Sequence, residues 1–157
     1  MAIDNNKYNI PYLNIVNLFK VACDQHLAIA SFDNGTIDFL DSSSQSRKYP
    51  YIFLRPMASI LTDRVRTLSF ELYSLDIPKA MKSQSNLELM SDTEMYIYDI
   101  MAWFNFQTAT NYDTIGMELT NCVPVNEGFQ DRVFGWVGSI DVTSPFALDY
   151  CDYPEYP

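Results

Sequence analysis

Histidine, glycine and cysteine are all scarce in this 157-residue chain, which holds one His, 5 Gly and 3 Cys. Each scarcity removes a class of chemistry. A Ser-His-Asp or Cys-His catalytic site would have to use His26, and His26 follows Asp24-Gln25 at the expected end of a helix. There a cationic side chain is favoured by the helix dipole, so a capping or surface role is the expectation. Cys23, Cys122 and Cys151 are odd in number and widely spaced, with no C-x-x-C pair. They form neither a disulfide framework nor a zinc set, and reduced thiols are expected. With so few glycines there is no G-x-x-x-x-G-K phosphate loop. Asp33-Asn34-Gly35-Thr36-Ile37-Asp38 resembles half of a calcium loop, but Ser44 stands where its terminal acid belongs, so a turn is expected. No metal, cofactor or catalytic residue is assigned.

Long apolar runs are missing too. Nothing approaches the roughly 20 residues needed to span a bilayer. Met1–Asn9 is polar and lacks the order of a signal peptide, so a cytoplasm is expected, at least as the place where the chain is made. The hydrophobic share is nevertheless 48%, enough for a real core. The length suits one domain, 1–157.

The most telling absence is of basic residues after Lys82. Residues 1–82 carry nine bases against eight acids. Residues 83–157 carry twelve acids against a single base, Arg132. A surface of that sign repels nucleic-acid phosphates and anionic membranes. Arg64 and Arg66 are the densest basic pair; they suit a nucleic acid or a salt bridge to a neighbouring subunit. Glu127 and Asp131 could converge, though a loop folding back on itself explains their spacing equally well.

Periodicity supplies the elements. After Pro11, Tyr12, Ile15, Val16, Phe19 and Ala22 form one helical stripe. Asn34-Gly35 is a tight-turn signal that predicts a hairpin between Leu27–Phe32 and Thr36–Leu40. Residues 41–48 read as a surface loop. Tyr51–Leu54 is a strand between Pro50 and Pro56. Thr67–Tyr73 alternates with Leu68, Phe70 and Leu72 on one face, and Pro78 stops it. Leu87–Phe106 is a helix starting either at the capping-box match Ser91–Glu94 or near Asn86. Met90, Ile97, Met101 and Phe104, with Tyr96, Ile100 and Trp103 nearby, make its apolar face wide. Such a helix should lie on a sheet, or partly against a neighbouring subunit. Ile115–Val125 and Asp131–Val142 are the last strands; Gly135 and Gly138 weaken the second unless something packs closely there or it bulges. The expected fold is α+β, an antiparallel sheet with two main helices on one face in α-β-β-α-β-β order. Residues 143–157 form an aromatic, acidic tail, expected to pack on the body or a neighbouring subunit.

Several segments taken together resemble a known set of proteins. They are the Phe53–Leu75 double strand, Ile77, Asn86-Leu87-Glu88, Ser91-Asp92-Thr93 and the helix with Ile97, Asp99 and Ile100. Pro124-Val125, Asp131-Arg132-Val133-Phe134-Gly135-Trp136, Ile140 and Asp149-Tyr150-Cys151-Asp152-Tyr153-Pro154 complete the pattern. It resembles small neck and tail proteins of tailed phages, and the element order is similar to the tail-terminator and tail-completion fold. The likeness covers most of the chain after residue 50, and residues 1–50 match less well. The Asn, Asp, Tyr and Ile usage suits an AT-rich genome such as that of a crAss-like phage.

The resemblance implies a non-enzymatic virion subunit in a six- or twelve-fold ring between portal and tail. Its expected partners are copies of itself, the adjacent portal, neck and tail rings, and passing genomic DNA held without specific binding. Phe134, Trp136, Phe146, Tyr150, Tyr153 and Tyr156 are the candidate interface anchors. Glu118, Glu127 and Asp131 are the candidate lumen-facing acids. A head-closure or minor tail protein, or a non-viral acidic ligand-binding module, are the alternatives.

Overall fold

The computed structural model describes residues 9–42, 47–78, 85–111, 115–128 and 132–148. Its elements run α1 (Tyr12–Gln25), β1 (Ser31–Asn34), α2 (Ile37–Ser42), β2 (Tyr51–Thr62), β3 (Val65–Asp76), α3 (Ser85–Asn111), β4 (Gly116–Gly128) and β5 (Val133–Pro145). One five-stranded sheet has the order β1-β2-β3-β5-β4. Every pairing is antiparallel except β1 with β2. The expected α+β fold is therefore present, with α1 and α3 packed on the sheet.

Of the predicted α1 stripe, Ile15, Val16, Phe19 and Ala22 are buried, joined by Cys23, whereas Tyr12 in the first turn is 40% exposed and stacks on Phe70. Pro11 stands one position earlier than expected, as the extended N-cap. Its carbonyl accepts the amides of Asn14 and Ile15. Phe19 packs against Phe70 of β3 and Phe104 of α3, with ring centroids 5.6 and 5.2 Å apart. It is fully buried, so its removal should cost about 3–5 kcal/mol in lost transfer and cavity formation. Ile52, Leu54, Leu68, Leu72, Ile140 and Val142 complete this core from the sheet, and Ile97, Ile100 and Met101 from α3.

Two sequence expectations are corrected. Asn34-Gly35 does not close a hairpin. The chain leaves β1 through Gly35, whose φ of +144° suits glycine, and whose amide donates to the Leu54 carbonyl. It then enters α2 instead of a second strand. The i, i+3 spacing of Ile37 and Leu40 lets one short helix cover the sheet's other face. There Leu40, Tyr51, Phe53, Tyr73, Leu75 and Val133 form a second core. Since α2 separates the strands, β1 joins β2 in parallel, and the sheet is not wholly antiparallel. The open choice for the start of α3 also resolves: the helix already runs at Ser85, so Ser91–Glu94 lies within it. Thr93 is buried and its hydroxyl donates back to the Leu89 carbonyl at 2.7 Å, not to a cap.

The β5 glycines are sites of close packing. A Cβ at Gly138 would meet Ile97 of α3 at 3.3 Å and Leu119 of β4 at 3.0 Å. At Gly135 it would sit 1.8 Å from the Ser74 carbonyl oxygen of β3. That neighbour is backbone and cannot swing aside. Gly135→Ala should therefore destabilise the chain by about 3 kcal/mol or more, through forced displacement of β5. Gly35→Ala has open space around it and meets only its backbone conformation, at about 1–2 kcal/mol. Urea midpoints of the two variants check the ranking.

Burial also sets the chemistry of Cys23. Desolvation, with the Asp24 charge added, pushes its thiol from 9.0 up to about 12. The folded state thus favours the neutral thiol. Its contribution to stability is complete below pH 9 and is lost as the pH rises towards 12. In the native chain at about pH 8, below the ordinary thiol pKa, a maleimide should modify the half-buried Cys122 well before Cys23. Peptide mapping against urea concentration should show Cys23 reacting only as the chain unfolds.

Candidate interaction surfaces

The sheet's two faces differ in cover. The face that carries Ile52, Leu68 and Ile140 lies under α1 and α3. The opposite face is apolar beside α2 and turns polar beyond it. Arg55 stands opposite Glu71, with its guanidinium 3.1 Å from the carboxylate. The Tyr73 hydroxyl donates to the same Glu71 oxygen at 2.8 Å. On the same strand the Ser69 hydroxyl donates to Asp141 of β5 at 2.7 Å. Asp141 in turn stands directly opposite Glu118 of β4. Two like charges facing each other across a ladder are destabilising, and neither has a basic cross-strand neighbour. Sequence reasoning picked Glu118 but not Asp141, because only the β4–β5 register brings them together.

The other proposed acids are not brought to that face by anything described. Glu127 lies in β4 with its side chain outside the described atoms, and Asp131 lies outside the described residues. Of the aromatic anchors, Tyr150, Tyr153 and Tyr156 also lie outside them. Phe134 is half-buried on β5, in register with Asp76. Trp136 packs against the main core, and its indole N–H donates to the Met90 carbonyl of α3 at 2.8 Å. Phe146 lies under the Arg66 guanidinium, 4.9 Å from the ring centroid, and its amide donates to the Arg64 carbonyl. Asn9 then clasps Ala147 through two hydrogen bonds of 2.9 and 2.8 Å. The first residues of the expected tail, Thr143–Pro145, belong to β5.

His26 links two helices. Its Nδ1 accepts the Ala28 amide at 3.1 Å, and its Nε2 lies 3.0 Å from Asp99 Oδ2 of α3. A neutral ring with its proton on Nε2 satisfies both partners. Asp33, from the calcium-like run, accepts the Tyr51 hydroxyl. Among the described residues no three His, Cys, Asp or Glu side chains group to hold a metal. No described helix is long and apolar enough to cross a membrane.

Two surfaces of the described residues carry exposed apolar side chains. The first is the outer half of β2. β1 pairs only with Tyr51–Leu54, so beyond Leu54 the outer edge of β2 has no strand beside it among the described residues. Met57, Ile60 and Leu61 there are 49%, 55% and 43% exposed, and Val65 across the turn is 44% exposed. The second is the outer side of α3, where Leu87, Met95 and Tyr98 are exposed. The wide apolar face read from the sequence was the signal for this second surface; nothing in the strand pattern signalled the first. No family model matches the chain, and no curated protein matches its sequence.

Replacing Glu118 by Gln should relieve its repulsion with Asp141 and raise stability by about 0.5 kcal/mol at low salt. The gain should shrink as added salt screens the wild-type pair. Thermal melts of both proteins across a salt series check this.

Proposed function

We propose that this chain is a non-enzymatic structural subunit of a tailed-phage virion, forming a ring in the neck or tail through which the genome passes. The observation that carries the reading is the pair of exposed apolar surfaces on different elements of the described residues, the outer β2 edge and the outer side of α3. A folded chain gains from burying such patches. Closed rings arise when two different patches of one subunit meet head to tail. The resemblance to tail-terminator and tail-completion proteins supports the same reading. So does the α+β sheet, in which the β2–β3 pair, α3 and the β4–β5 pair succeed one another in the expected order. The acidic Glu118–Asp141 face suits a lumen wall, because carboxylates keep passing phosphates from adhering.

The cavity found among the described residues adds little to the ligand-binding alternative. A cavity lined by Cys23, Asp24, Ile29, Ala30 and Ser31 holds about 130 Å³, below the roughly 300 Å³ at which small-molecule sites begin.

Particles of the phage that encodes this chain should contain it in six or twelve copies, measured by quantitative mass spectrometry against the portal protein. Cryo-electron microscopy should place those copies in one ring of the neck or tail. Particles that lack the chain would overturn the proposal. So would particles that hold it outside any ring, as a scattered minor component.

A further inference from the structure

We infer that His26 is a pH-operated latch on the connection between α1 and β1: neutral, its ring holds the Ala28 amide, and protonated, it releases that amide while keeping its hold on α3. Both ring nitrogens are occupied. Nδ1 accepts the Ala28 N–H at 3.1 Å, so it carries no proton. Nε2, 3.0 Å from Asp99 Oδ2, carries the single N–H of the neutral ring and donates it. Histidine is the side chain whose charge ordinarily changes between pH 5 and 8. A second proton can go only to Nδ1, on the lone pair that receives the Ala28 amide. Two N–H donors then face each other with no acceptor between them. That hydrogen bond must break, either because the loop moves off or because the ring turns away.

The surroundings hold the ring and not the loop. Protonation puts a positive charge on the donor to the Asp99 carboxylate, so that contact gains. Tyr96 of α3 packs edge-on to the ring, with centroids 5.3 Å apart. One residue earlier, Gln25 accepts the Trp103 indole N–H at 2.9 Å, a second tie between the end of α1 and α3. Ala28, by contrast, is exposed, and Leu27 before it is wholly so. The loop is anchored again at Ala30 and Ser31, whose amides both donate to the Pro50 carbonyl. Movement is thereby confined to residues 27–29. Ile29 lines the cavity beside Cys23, so release of Ala28 loosens one wall of that cavity.

The titratable groups around the ring are Asp99 and Tyr96 of α3 and Asp24 and Cys23 of α1. Asp92 and Asp76 lie close enough to Tyr96 to act on its hydroxyl. α3 holds no Lys or Arg, so no base on the helix that faces the ring competes for Asp99. The latch does not depend on how subunits assemble, and it stands or falls apart from the ring reading.

The test is a titration of the full chain from about pH 8 to about pH 5, followed by nitrogen NMR of the His26 ring and the Ala28 amide. His26 is the one histidine in the sequence, so its ring signals identify themselves. At the alkaline end the proton should sit on Nε2. As the ring gains its second proton, the Ala28 amide signal should shift with the same midpoint, while Nε2 stays bonded to Asp99. Hydrogen exchange at Ala28, corrected for its intrinsic pH dependence, should lose about fivefold in protection, the worth of one hydrogen bond. His26→Asn keeps an acceptor near the Nδ1 position and has nothing to titrate, so its Ala28 amide should hold constant. Asp99→Asn removes the charge that favours the protonated ring, so about threefold more acid should be needed to reach the midpoint. A proton on Nδ1 at the alkaline end sinks the inference. So does an Ala28 amide that ignores the ring's titration, or an Nε2 that leaves Asp99 as the ring charges. An Ala28 amide that still titrates in His26→Asn assigns the response to a neighbouring acid and overturns it equally. Should either variant fail to fold, the wild-type titration decides alone.

Discussion

The contact of β5 with β3 is the constraint on which the other arrangements depend. Their pairing runs from Val65 opposite Pro145 to Asp76 opposite Phe134, and it inserts the last described strand between β3 and β4. Because β4 pairs only with β5, no sheet edge exists on that side until β5 is in place. The insertion is tight enough that the backbone of β3 at Ser74 leaves no room for a side chain at Gly135. On the helix side, Gly138 lets Ile97 rest on the strand, and Trp136 fastens α3 through the Met90 carbonyl. α3 is thereby fixed on the sheet, and α1 is fixed in turn through Phe19, which touches Phe104 and Phe70. Most of these contacts join residues far apart in the chain, so loop closure must precede their gain and folding should be slow relative to a helical bundle.

What was legible in the sequence depended on the range of the signal. The α1 stripe and the Leu68-Phe70-Leu72 alternation are local periodicities set by a core on one side, and the structure buries those residues except Tyr12, which lies at the helix start. The β2–β3 end of the sheet is covered on both faces, so Tyr51, Phe53, Tyr73 and Leu75 are buried where simple alternation would leave them half exposed. A six-residue helix completes too few turns to show a period, and the Asn-Gly dipeptide before it marks a turn without specifying whether a helix or a strand comes next. The capping-box match at Ser91 failed because a local motif carries no information about the helical residues before it. The facing of Glu118 and Asp141 depended on strand register alone, which no local pattern specifies. Trp136 and Phe146 look like anchors by residue type, yet tertiary contacts with Met90 and Arg66 occupy them.

Several features cost the fold stability without any visible return among the described residues. Glu118 faces Asp141, Arg64 holds a left-handed backbone, the outer β2 edge is apolar, and α3 carries apolar side chains on both sides. Local rules are broken in this way where a surface is shaped for something other than its own stability. The edge strands show the contrast. β4 carries Pro124 and two register irregularities, devices that discourage pairing with another strand. β2 carries Pro56 and one irregularity beside it, but the strand continues past them with Ile60 and Leu61 exposed. One edge is blunted along much of its length and the other is left adhesive near its tip.

The charge asymmetry acquires a structural meaning from this layout. The nearly neutral part of the chain supplies α1, β1, α2 and the β2–β3 pair, whereas the acidic part supplies α3, β4 and β5. The α3 acids Glu88, Asp92, Glu94 and Asp99 and those of β4 and β5 stand on neighbouring elements, so the negative excess is concentrated on one side of the sheet and the helix beside it. Glu118 opposite Asp141 is where two of these charges meet across a ladder. A negative field concentrated in this way repels anions more strongly than the same charge spread evenly over the surface would.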